Sequence, residues 1–145
     1  MKSWAHLAAA LPLTEAIYLA GGASETALAA GAASVLVDAD HVADYAWLSR
    51  GRSDFRNFFR DYAKHRTQKL FLLLHSWELA ALALGLAWFW SAPAWLWCAI
   101  GGWVFHLACD QTANRVGWPF YFLTYRFYKN FDRSRLPCPQ AEPHP

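Results

Sequence analysis

Three pairs of ionisable residues interrupt the most apolar stretches of this chain: Asp38 with His41, Asp40 lying between them; His75 with Glu78; and His106 with Asp110. A charged group in an apolar setting costs several kcal/mol unless it is paired or hydrogen-bonded. A fold that buries these stretches must therefore bring the polar residues to partners. Each pair is three or four residues apart, the spacing that places two side chains on one helix face. His, Asp and Glu are also the residue types that bind zinc, manganese or iron. Together, type and spacing predict a metal site assembled from several helices.

The surrounding composition bears on what kind of helices these are. Of 145 residues, 56% are hydrophobic and 17% aromatic, with nine Trp. Mean hydropathy is nevertheless only +0.08, because Lys and Arg are concentrated in a few segments. Residues 70–90 form an apolar run of the length that crosses a bilayer. After the turn at Ser91, Ala92 and Pro93, residues 94–110 make a second run, rich in Trp and carrying Gly101 and Gly102 for close helix approach. Residues 4–20 and 23–37, separated by Gly21 and Gly22, are shorter candidates weakened by Glu15 and Glu25. Pro12 and Glu15 also argue against a cleaved signal peptide at the N-terminus.

Residues 50–69 interleave Arg50, Arg52, Arg56, Arg60, Lys64, Arg66 and Lys69 with Phe55, Phe58, Phe59 and Tyr62, which reads as an amphipathic interfacial helix. The segment after Asp110 mixes aromatic residues with Arg115, Arg126 and Lys129 and reads as a second interfacial segment, with Arg126 beside lipid phosphates. The expected fold class is thus all-α, an integral membrane four-helix bundle forming one domain over residues 1–135, followed by a disordered Pro-rich tail at 136–145. The distribution of Lys and Arg implies a multi-pass membrane protein with both termini cytoplasmic.

In that topology the polar pairs lie at one depth, joined by His6 near the start of the first helix. The expected metal ligands are His6, Asp38, Asp40, His41, His75, Glu78, His106 and Asp110, with Asp38 as a bridging group and Glu78 as ligand or general base. Zinc is the first choice of ion, with manganese or iron as alternatives, one or two ions per site. The bland reading of each pair is a helix cap or a helix-fastening hydrogen bond, and Asp44 extends the Asp40 face. His65 and His144 lie in a basic segment and in the tail. Cys98, Cys109 and Cys138 lack disulfide or zinc-ribbon spacing. A net charge of +2 gives no reason to expect a nucleic-acid partner. Motifs of serine hydrolases, zincins and nucleotide-binding loops are absent from the sequence.

With those residues in view, the chain resembles bacterial membrane-bound metal-dependent hydrolases, including the inner-membrane LexA-binding hydrolase family. The similar features are His6, an Ala/Gly-rich helix running into Asp38-x-Asp40-His41, the His75-Ser76 element, and His106-x-x-x-Asp110. That family has a His-Arg-x-x-Thr-His-Ser type of element, whereas here His65-Arg66-Thr67 and His75-Ser76 are separated and Glu78 is additional. The resemblance implies a helical fold in a bacterial-type inner membrane and hydrolase chemistry. A site at headgroup depth, flanked by Arg and aromatic residues, makes an ester or phosphoester of an amphipathic or lipid-like substrate the expected target, with membrane lipids as neighbours. From the residues alone, an ion or proton transporter and a non-catalytic scaffold remain open beside it.

Overall fold

The computed structural model describes residues 3–48 and 68–138. Its elements are helical: α1 (Ser3–Leu19), α2 (Ser24–Leu36), α3 (Ala39–Leu48), α4 (Trp77–Phe89), α5 (Ala94–Ala113) and α6 (Leu123–Tyr128), with single 3₁₀ turns at Trp118–Tyr121 and Arg133–Arg135. One isolated bridge, Lys69 with Asp132, is the extended pairing among these residues. The all-α expectation therefore holds.

Local chemistry explains where the helices stop. α1 ends in a Schellman motif. Gly21 takes φ +86°, its N–H bonds to the Tyr18 carbonyl, and the Gly22 N–H reaches back to Ile17. α4 ends in the same way, with Ser91 at φ +48° and the Ala92 N–H on the Ala87 carbonyl. α4 begins only at Trp77, because the Ser76 hydroxyl accepts the Leu79 N–H as an N-cap.

α5 is the central element. α2 lies along it, and α1 and α4 pack against α2 and α5 respectively. The α2–α5 contact depends on Gly102, where a Cβ would run into the Ala30 carbonyl. At the other end of α5, Leu70, Leu72, Ala80, Leu107, Phe120, Tyr121 and Leu136 form a buried cluster.

Among the described residues no helix is long and apolar enough to cross a membrane. This overturns the four membrane spans and the multi-pass inner-membrane placement expected from the apolar runs. The physical reason is clearest at residues 70–90. Their first seven residues are non-helical, leaving α4 with 13 residues, about 20 Å of helix against a hydrocarbon core about 30 Å thick. α2 has the same length. α5, with 20 residues, carries His106, Asp110 and Gln111 within its last turns.

The C-terminal segment also departs from expectation. Phe120, Tyr121 and Arg126 are buried rather than interfacial. Leu136 joins the core, and the Pro137 carbonyl accepts the Gly117 N–H, so the start of the expected tail is part of the fold. Of the basic helix expected over residues 50–69, residues 50–67 lie outside the described residues, while Gln68 and Lys69 are non-helical and Lys69 pairs with Asp132; the rest of the tail, 139–145, also lies outside the described residues.

Candidate metal centre

His6 from α1, Asp38 at the α2–α3 junction, His41 from α3, His75 from the segment before α4, and His106 and Asp110 from α5 meet in one place. His6, His75, His106 and Asp110 are buried, while Asp38 and His41 are partly exposed. The cluster is therefore open on the Asp38–His41 side.

Four donor atoms lie at its centre. His75 Nε2 is 3.3 Å from His106 Nε2 and 3.6 Å from Asp110 Oδ2. His106 Nε2 is 3.7 Å from Asp110 Oδ2. Asp38 Oδ1 stands 3.9 Å from His75 Nε2 and 3.7 Å from His106 Nε2. Ligands about 2.0–2.1 Å from a tetrahedral zinc stand about 3.3–3.4 Å apart. Five of the six separations among these donors, 3.3–3.9 Å, are thus close to or slightly wider than those of ligands sharing one ion. The same residues also divide into two triads, His6/His106/Asp110 and Asp38/His41/His75, each with one donor atom per residue within 4.8 Å of the others. Asp110 faces both ways, with Oδ1 2.9 Å from His6 Nε2 and Oδ2 toward His75 and His106. These are His/Asp groups that could bind a divalent ion.

The orientation of the imidazoles makes the point sharper. His106 Nδ1 lies 2.7 Å from the Ser34 carbonyl oxygen. A carbonyl can only accept, so Nδ1 carries the proton and Nε2 presents a lone pair. His75 Nδ1 faces Asp40 Oδ2 at 3.4 Å, and the carboxylate assigns the same tautomer. Two Nε2 lone pairs then confront each other at 3.3 Å. That arrangement is repulsive unless a cation lies between them. His106 itself is a poor carrier of such a charge near neutral pH, since burial, with His6 and His75 beside it, pushes its pKa down to about 4. Burial and the neighbouring His75 likewise hold His41 well below its usual value. For Asp110, burial opposes ionisation, yet the His6 hydrogen bond holds the carboxyl below the ordinary range. Neutral imidazoles and ionised carboxylates are the ligand forms of these groups.

Outer contacts fix the donors. His6 stacks on His106 with ring centroids 3.9 Å apart. The segment carrying His75 is clamped from two sides. Asp44 Oδ2 accepts the N–H groups of Phe71 and Leu72 at 2.7 and 3.2 Å, and Asp40 Oδ2 accepts that of Leu74 at 2.6 Å. From the other side, Arg126 donates to the Leu72 and His75 carbonyls at 2.9 and 3.1 Å. Leu72 adopts φ +45° within this clamp, a conformation that costs roughly 1 kcal/mol or more for a residue with a Cβ. Burial lowers the Arg126 pKa to about 10, against the charges of Asp40, Glu78 and Asp44, and the guanidinium stays protonated.

Two expected ligands take other places. Asp40 stands behind His75 rather than among the central donors. Glu78 faces away from the cluster. Its carboxylate accepts the Leu123 and Thr124 N–H groups at 2.9 and 3.0 Å, the Thr124 hydroxyl at 2.7 Å and the Ser76 hydroxyl at 2.8 Å, tying α4 to the start of α6. Burial would raise its pKa, but these donors bring it down to about 2. His6 and His41 remain within the cluster beside the four central donors, His6 against Asp110 Oδ1. Sequence reasoning placed Arg126 at a lipid surface, and no local pattern signals that it is fully buried here. Gln111, the residue after Asp110, accepts the Trp77 indole N–H at 2.7 Å.

No protein-family model, no curated protein and no solved structure matches the chain.

Proposed function

We propose that this protein is a metal-dependent hydrolase whose centre is formed by Asp38, His75, His106 and Asp110, with His6 and His41 completing the set when a second ion is held. The observation that carries the reading is the pair of facing Nε2 lone pairs, with Asp38 and Asp110 oxygens completing the donor set. The similarity of the Asp38-x-Asp40-His41 and His106-x-x-x-Asp110 elements to membrane-bound metal-dependent hydrolases points to the same chemistry. A divalent ion in such a site supplies Lewis acidity and lowers the pKa of water toward neutrality.

The chain's own residues divide the remaining work. Asp38 lies on the open side and is placed to orient water and take its proton. Ser34 and Asp40 hold the imidazoles of His106 and His75 in the tautomer that leaves Nε2 free. Arg126 and Asp44 hold the backbone that presents His75. The substrate class is an amphipathic ester or phosphoester, and zinc is the ion that best suits a His/Asp set of this size, with manganese or iron as alternatives.

Activity against 4-nitrophenyl esters and bis(4-nitrophenyl) phosphate tests this proposal. Hydrolysis is expected with zinc or manganese, lost on chelation and restored by adding the ion back. Asp38→Asn is expected to lower turnover by about 10²-fold or more. Absence of hydrolysis from protein that carries its full complement of metal would contradict the assignment.

A further inference from the structure

α2 and α4 flank α5 and leave a cleft of about 640 Å³ between them, within the range of about 300–1,000 Å³ typical of small-molecule sites. Its walls are apolar, with Ala33 and Leu36 from α2, Ala83 and Leu86 from α4, and Ala99 and Ile100 from α5. Among the described residues no Lys or Arg lines it. One end lies beside the metal centre. There the lining residues Val37 and Leu74 immediately precede Asp38 and His75, and Trp103 lies three residues before His106 on the same face of α5. The Trp103 indole donates to the Leu74 carbonyl, closing that end around the ligand-bearing segment. Leu36 and Trp90, which also line the cleft, are 63% and 68% exposed.

We propose that the cleft binds the hydrocarbon chain of a neutral carboxylic ester and thereby delivers the ester carbonyl to the His/Asp centre. The inference deepens the hydrolase reading and rests on it for the scissile group. An apolar cleft that ends beside a polar centre fits a molecule with one long apolar arm and a polar end. The carboxylates of Asp38 and Asp110, with no Lys or Arg among the described lining residues, favour an uncharged ester over a phosphate dianion. In the reaction, water adds to the carbonyl carbon and the acyl C–O bond breaks. The departing alcohol oxygen takes the proton lost by the water, and a fatty acid and an alcohol leave.

Binding of a fluorescent polyene fatty acid, below the concentration at which it self-associates, tests chain recognition separately from turnover. Metal content is measured in parallel. Wild-type protein is expected to bind one chain, and competing saturated fatty acids to bind roughly tenfold tighter for each two added methylenes. Ala83→Trp, at a half-buried wall position, is expected to weaken binding at least tenfold while helix content and metal stay as in wild type. Ala99→Phe on the opposite wall supplies the same reading if Ala83→Trp fails to fold. Binding that ignores chain length, or that neither variant alters, overturns the proposal. So does wild-type protein that binds no chain but self-associates through this face, with Ala83→Trp monomeric. Protein that binds the chain yet holds no metal overturns the hydrolase reading alone.

Discussion

Two sets of carboxylates are drawn from the same kinds of local sequence and end in opposite roles. Asp38 and Asp110 turn their oxygens toward imidazole nitrogens 2.9–3.9 Å away. Asp44 and Glu78 give theirs to backbone N–H groups and hydroxyls. Asp40 stands between the sets, with one oxygen serving both the Leu74 N–H and His75 Nδ1. The first set can hold a cation. The second fastens the segments that aim the first.

Substitutions that remove one oxygen's charge should separate these roles. The largest effect is expected at Asp110→Asn, which leaves shape nearly intact but removes a donor shared by His6, His75 and His106. Metal affinity, followed by competition with a chromophoric chelator, should fall by more than about 100-fold, beyond the range usual for outer partners. Asp40→Asn keeps an acceptor for Leu74 but takes the carboxylate from His75, so affinity should fall by about 10–100-fold.

Glu78→Gln should leave metal content unchanged and cost about 1–3 kcal/mol of stability by denaturant titration, because an amide nitrogen now faces donors. Its pH dependence is also specific. Folding lowers the Glu78 pKa from 4.5 to about 2, so the folded state binds fewer protons between those values. The stabilisation is fully present above 4.5 and is lost as pH falls toward 2. Glu78→Gln should flatten that acid limb.

The smallest effect is expected at Asp44→Asn. Burial raises the Asp44 pKa from 3.8 to about 6, against the two backbone N–H groups that favour its charge. The folded state therefore binds more protons than the unfolded one in that interval, and stability falls as pH rises through it. An Asn oxygen still accepts from Phe71 and Leu72 without the buried charge. Stability at neutral pH should change by less than about 0.5 kcal/mol, and the slope between pH 4 and 6 should diminish. A loss of metal in either Glu78→Gln or Asp44→Asn would break the distinction between the two sets.

How much of this was legible follows the same division. Spacing showed that His106 and Asp110 share a face, and the scatter of polar residues over separate apolar segments showed that they needed partners. Both inferences point to the cluster found. Spacing could not say what lies across from a face, so Glu78 read as a ligand although α6 supplies its partners. The non-helical stretch before α4 was hidden because Leu70, Phe71, Leu72, Leu73 and Leu74 have ordinary helix-compatible side chains. The left-handed Leu72 is held by Asp44 and Arg126, which are distant in sequence. Ser76, a common N-cap residue, was the one local signal that a helix starts there. Without that break the apolar run reads as a membrane span, and the expected topology follows from the same error.

Elemental analysis of the purified protein beside its His106→Ala variant tests the central claim most directly. The account predicts one or two equivalents of a divalent transition metal per wild-type chain, with the ion largely lost from a His106→Ala protein of unchanged helix content. Wild-type protein that remains metal-free after zinc is supplied in excess, or a His106→Ala variant that retains its ion with full affinity, would contradict it.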